Sequence, residues 1–291
     1  MAKREKRPQK SKLKKFRFYG INTILTPKEK QSEKAYEAYM RKIFEDDIHI
    51  LISSDKKITL RTQHIGRVGY KEKEYKVLYG KIVRYTTIEG ENWYNEKKRD
   101  YQKHEMPKDI FPSPFETEYI YFPNIHRFYI KPNGKVTTKG VMTFLLGAFD
   151  NVVPPDISIK IRLMQSQDVV DSIINAQSIH SLKINLTYTN DDIGGDAQEE
   201  MDRLIKEAGI GEVDAFLKPD GAGELKKDST MIRGYLELAK EHGTAEASVI
   251  NENGEKDKII TKDYPDKIIV SATENTFATE LFMREMKRLK K

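Results

Sequence analysis

The densest group of acids in the chain is Asp191, Asp192 and Asp196, set around Gly194-Gly195 with Asn190 beside them. Carboxylates grouped in this way could seat Mg²⁺ for phosphodiester hydrolysis. The same segment lies where a strand hands over to a helix, and Asp and Gly are the residues that turn and cap the chain there. We read it as a helix entry, and keep a metal-dependent nuclease or toxin-like effector as the alternative function. Glu116 and Glu118 with Lys131 have the residue types of a restriction-type nuclease core, at a spacing common by chance. The six histidines, His49, His64, His104, His126, His180 and His242, form no HExxH and no close metal-spaced pair. There is no GxSxG nucleophile elbow. The stretch KPDGAGELKKDS lacks the GxxxxGK[ST] order of a phosphate-binding loop and reads as a flexible connection. The chain has no cysteine, which removes disulfides, zinc thiolate sites and cysteine nucleophiles and fits a reducing cytoplasm. No catalytic group, metal or cofactor is expected.

The cations carry more information. The first seventeen residues hold nine Lys/Arg against one acid, Glu5, or +8 of a chain whose net charge is only +6. The rest of the chain therefore sums to −2. A concentrated cationic arm holds polyanions by releasing their condensed counterions, without reading sequence. The alternative is a solubilising tail. Lys10, Lys12, Lys14, Lys15 and Arg17 form the part of this arm nearest the globular chain.

Two strands extend the basic surface. In 157–164 the apolar set is Ile157, Ile159, Ile161 and Leu163, opposite Ser158, Lys160, Arg162 and Met164. In 181–188 Leu182, Ile184, Leu186 and Tyr188 alternate with Ser181, Lys183, Asn185 and Thr187. A period of two places each set on one side of a sheet. If the two strands share a sheet, Lys160, Arg162 and Lys183 emerge on one wet face suited to a sugar-phosphate backbone. Arg61 and Arg67 belong to a second cluster, with Lys71, Lys73 and Arg84, diluted by Glu72 and Glu74. Lys226 and Lys227 sit in the Gly-rich loop. Lys97, Lys98 and Arg99 lie close to Trp93, Tyr94 and Tyr101; interleaved aromatics and cations can stack on bases, although loop aromatics more often staple a loop to the core.

These residues need elements to position them. Strands are expected at 16–25, 48–52, 57–61 and 75–87, with an amphipathic helix at 32–45. Residues 89–117 are polar and contain Pro107, Pro112 and Pro114, which argues for an irregular connection. Runs at 119–122 and 127–131 precede a helix capped by Thr137. Pro154-Pro155 marks a domain boundary. Beyond it come the strand 157–164, a helix capped by Ser166, a strand at 178–188, a helix from Asp196 to Gly209, a step at 213–217 and a helix capped by Ser229. A hairpin around Asn253-Gly254, a strand at 268–272 and a helix from 277 complete the chain. This predicts an α+β fold of two domains, 16–155 and 156–291, each a mixed or antiparallel sheet with packed helices, after a flexible basic N-terminal arm at 1–15. The last helix is free to pack back on the first domain. With 291 residues, 38% apolar, 33% charged and a mean hydropathy of −0.67, no segment approaches a membrane span.

Two blocks carry a family resemblance: TEYIYFPNIHRFYIKPNGKVTTKGVMTFLLGAFD (117–150) and EEMDRLIKEAGIGEVDAFLKPD (199–220). With the later helix, hairpin and final helix, their order resembles the RexA-like proteins of lambda phage exclusion over two thirds of the chain, as pattern rather than identity. That resemblance implies a homodimer with a globular and a smaller mobile domain. Such proteins close on duplex DNA without sequence preference and act in defence against phage, in the lambda case by signalling to a membrane partner. The basic arm and the connection 89–117 depart from the pattern, so no site residue is transferred from the family. The expectation is a cytoplasmic, non-enzymatic, sequence-independent binder of double-stranded DNA, homodimeric, acting with an effector protein encoded nearby and not itself inserted in a membrane.

Overall fold

The computed structural model describes residues 13–87, 92–103, 109–187, 196–273 and 276–288. β1 (Lys14–Thr26) leads through α1 (Glu33–Glu45) to β2 (Ile50–Ser53), β3 (Lys56–Tyr70) and β4 (Lys73–Thr86). β5 (Asn92–Asn95) and β6 (Asp100–Lys103) follow, then β7 (Phe115–Phe122), β8 (Arg127–Ile130), α2 (Thr138–Val152) and β9 (Ser158–Leu163). The remainder is α3 (Gln167–Asn175), β10 (Ser178–Thr187), α4 (Asp196–Glu207), β11 (Glu212–Leu217), α5 (Thr230–His242), β12 (Gly243–Ile250), β13 (Lys256–Ile260), β14 (Lys267–Ala272) and α6 (Phe277–Arg288). The fold is α+β, with antiparallel pairing throughout the described ladders.

The first sheet runs β14-β1-β8-β7-β4-β3-β2, with β9 also on β1. Its central strands are apolar in continuous runs because both faces are covered, so they do not alternate as a one-sided sheet would. Tyr119, Tyr121, Phe128 and Ile130 face Tyr36 and Met40 of α1 and Phe144 and Leu145 of α2. Ile120, Phe122 and Tyr129 face Phe282 and Met286 of α6. Each fully buried Phe contributes about 1.5–3 kcal/mol of apolar burial. α2 starts where expected: the Thr137 hydroxyl accepts from the Gly140 amide at 3.2 Å. Thr137→Ala should lower stability by about 1 kcal/mol, seen as a lower denaturation midpoint with an unchanged denaturant slope.

Three expectations are corrected. First, β9 does not share a sheet with β10; it pairs with β1 from Ile21↔Leu163 to Thr26↔Ser158, while β10 enters a second sheet ordered β11-β10-β12-β13. The thirteen-residue β1 is long enough to give its first half to β14 and its second half to β9. The first sheet thus takes strands from both sides of Pro154-Pro155, where Ile157 N–H closes a turn on the Pro154 carbonyl at 3.0 Å. Second, β1 begins at Lys14, so Lys14 and Lys15 are ladder residues paired with Ala272 and Ser271. Third, the polar connection contains the β5–β6 hairpin, and β3 continues to Tyr70, well past the expected end, before turning at Lys71-Glu72, both at positive φ.

The second sheet has α3, α4 and α5 on one face, around Leu182, Ile184, Leu186, Ala245, Ala247 and Val249. It is tied to the first at one seam. Gln165 N–H, just after β9, bonds the Lys240 carbonyl of α5 at 2.9 Å, and Asn22 of β1 meets the buried His242 ring at 3.4 Å.

Candidate nucleic-acid interface

The helices of the second core pack on the face that carries Leu182, Ile184 and Leu186, so Lys183 and Asn185 stand on the opposite one. Register determines what stands there. Lys183 lies opposite both Phe216 of β11 and Glu246 of β12; Glu246 lies opposite Ile260, and Ser248 opposite Lys258 of β13. Asn185 lies opposite Asp214 and Thr244. This is the polar half of each alternating strand.

Lysines from three elements gather on one acid here. Lys258 binds the Glu246 carboxylate at 2.6 Å, and Lys183 and Lys262, the latter in the turn after β13, act on it through space. The Lys258 contact, reinforced by the other two charges, holds the Glu246 carboxyl below the usual carboxylate range. Phe216 is 61% exposed at the edge of the face, and the Lys218 ammonium stands 4.8 Å from its ring centroid.

Two further cations reach this face from the other sheet. Arg162 donates from Nη2 to Asn185 Oδ1 at 3.1 Å, and its guanidinium lies 3.8 Å from Glu212. Lys160 pairs with Glu212 at 3.1 Å. Arg162 and Lys160 thus meet the Asn185–Glu212 end of this face, while Lys183 stands two residues from Asn185 along β10, so two different sheets supply these cations. Sequence reading missed Lys258 and Lys262, and it missed the acids Glu212, Asp214 and Glu246 interleaved with the cations.

The other proposed cations are placed elsewhere. Lys10 and Lys12 lie outside the described residues, as do Asp191 and Asp192; Asp196 opens α4. Lys14, Lys15 and Arg17 stand on β1. Arg61 pairs with Glu116 at 2.7 Å and Arg67 with Glu74 at 2.9 Å. Lys226 is exposed, whereas Lys227 donates to the Ala176 carbonyl and fastens its loop. Glu116 is held below the usual carboxylate range first by Lys81 and then by Arg61, and Glu118 pairs with Lys131 at 3.1 Å. The nuclease-like residue types are thus taken up in three ion pairs, two on Glu116 and one on Glu118. Among the described residues no three His, Asp or Glu side chains are grouped to hold a metal. No described helix is long and apolar enough to cross a membrane.

Fold and surface together define an α+β protein in which a helix-backed antiparallel sheet presents a lysine-rich face beside a larger, doubly covered sheet. The family model described as "Domain of unknown function (DUF4747)" matches residues 14–288, and the chain belongs to that family. No curated protein matches it.

Proposed function

We propose that this protein binds double-stranded DNA without sequence preference and has no catalytic activity of its own. The observation that supports this best is the convergence of Lys183, Lys258 and Lys262 on Glu246, flanked by Arg162, Lys160 and Lys218. Lysines clustered beside the hydroxyls of Ser181, Ser248 and Thr244 suit phosphate oxygens and carry no base readout. The acids among them do not prevent this. Ion pairs as exposed as Lys258–Glu246, at 59% and 39%, are screened by water and contribute little, so a lysine can exchange its carboxylate for a phosphate at little cost. The basic segment 1–12 would add sequence-independent affinity on the same polyanion.

The wider reading belongs to the same proposal. The chain acts as a cytoplasmic homodimer of the RexA-like kind, its two larger sheets with their helices serving as the two bodies that close on duplex, in an anti-phage system with a nearby effector. The order of elements at 117–150 and 199–220 supports it.

Fluorescence anisotropy on random-sequence duplex across salt concentrations tests the core claim. If about six phosphates are neutralised, log affinity should fall against log salt with a slope of about −5. Replacing Lys183, Lys258 and Lys262 together by Gln should reduce that slope by about 2–3 and weaken binding equally on unrelated sequences. Removing residues 1–12 should reduce it further. Absence of duplex binding, or binding that ignores salt, overturns the proposal.

A further inference from the structure

The hairpin β5–β6 forms a two-stranded sheet of its own, separate from both larger sheets. Its strands pair Trp93 with Gln102, Tyr94 with Tyr101 and Asn95 with Asp100. The side chains at 94 and 101 share one side of the ribbon because they are directly opposite. They are 61% and 74% exposed, so they do not staple the connection to the core. Their rings meet edge to face, with centroids 5.9 Å apart and planes at 69°. The tip that joins the strands is Glu96-Lys97-Lys98-Arg99, with Arg99 at φ 52° and Asn95 accepting the Lys98 amide. Lys97, Lys98 and Arg99 are exposed, and the Asp100 carboxylate accepts from the Tyr101 amide.

A structural role for the tyrosines alone explains little of this. An exposed cross-strand pair stabilises a ribbon, but three consecutive cations at the tip repel one another. Exposed aromatic faces beside exposed cations match a strand of nucleic acid whose bases are unstacked: every base has a π-face, and the adjoining phosphates need countercharge. The edge-to-face arrangement leaves no parallel slot between the rings, so a base would lie on an outward ring face.

We propose that this hairpin is a base-stacking finger, with Tyr94 and Tyr101 receiving unpaired bases and Lys97, Lys98 and Arg99 holding the flanking phosphates. The protein therefore prefers duplex interrupted by a single-stranded gap to fully paired duplex. This rests on the nucleic-acid reading given above but is carried by a different element, so the two can fail separately.

The full chain is titrated against a paired duplex and the same duplex with a short gap containing 2-aminopurine. The wild-type protein should bind the gapped substrate about tenfold tighter and quench the 2-aminopurine on binding. A Tyr94→Leu/Tyr101→Leu variant keeps an apolar cross-strand pair but no ring. It should bind both substrates alike, without quenching, and keep the wild-type affinity for paired duplex. A Lys97→Gln/Lys98→Gln/Arg99→Gln variant should retain quenching at saturation with a shallower salt slope. Equal binding of the two substrates by the wild-type protein, or quenching that persists in the leucine variant, overturns the inference. Gap binding with quenching but no affinity for paired duplex would sustain the finger and refute the duplex proposal. Salt-dependent duplex binding with no gap preference would do the reverse.

Discussion

Glu285→Ala should cost about 3–5 kcal/mol of stability. Glu285 of α6 and Arg127 of β8 are both fully buried, and they pair at 2.7 Å. The Tyr129 hydroxyl donates to the same carboxylate oxygen at 2.7 Å. Burial, and then the adjoining carboxylate, keep that hydroxyl protonated well above the ordinary tyrosine range, so it remains a donor. Removing the carboxylate takes a charge-neutralising partner from a fully buried guanidinium beside an apolar cluster built from Phe122, Phe282 and Met286. Thermal unfolding should show a midpoint lower by on the order of 10 °C. The double variant Arg127→Met/Glu285→Leu should recover much of the loss, because a buried pair exchanged for apolar groups of similar volume is close to neutral. A single variant as stable as wild type, or a double variant worse than the sum of its parts, refutes this account of how α6 is fixed to the first sheet.

Gly243→Ala should destabilise the second sheet by about 1–3 kcal/mol and disturb the lysine-rich face. Gly243 joins α5 to β12 directly, in an extended conformation that any residue can adopt, so space rather than dihedral freedom requires glycine here. A Cβ at this position would lie 1.9 Å from the Asn185 carbonyl oxygen and 2.9 Å from the Leu186 side chain. The obstacle is backbone, and β10 would have to move. Asn185 is the residue that holds both Arg162 and Asp214. Amide hydrogen exchange should therefore accelerate in β10 and β12 while β7 and β8 keep their protection. Duplex affinity should fall more than that of a Gly211→Ala control, where an added Cβ meets nothing within 4 Å. Uniform acceleration across both sheets, or none, would refute the local mechanism.

The expectation of an α+β fold holds, and most elements were legible because their signals are local. Thr137 and Ser229 do cap α2 and α5 through their hydroxyls, and Gly209, at φ 66°, ends α4. The alternation in 181–186 does separate a buried from a wetter side, whereas in β9 Lys160 and Arg162 are half-buried like Ile161 and Leu163, and Thr187 at the end of β10 is buried. The misses share one cause. β3 was cut short because Gly66 and Gly69 and the charges around them hide a strand whose partners lie across a hairpin. The β5–β6 ribbon, in a stretch too polar to show a period, is held by pairing with itself.

The surface shows the same division. Residue types and periodicity by themselves determined that Lys160 and Arg162 share one side of β9 and that Lys183 stands opposite the apolar set of β10. That β9 would join β1 and yet deliver Arg162 to Asn185 required the tertiary fold. The face of Lys258 depended on the turn after β12. Asn251 folds that turn over five residues, accepting from the amides of Asn253 and Glu255. The resulting register sets Lys258 opposite Ser248 rather than opposite the inward-facing Val249, where a two-residue turn at Asn253-Gly254 would have put it. Side-chain period and capping are written in neighbouring residues. Register and strand partnership are free-energy minima over contacts distant in sequence, so the acids that temper this surface, and the lysines that complete it, were decided only once the chain had closed on itself.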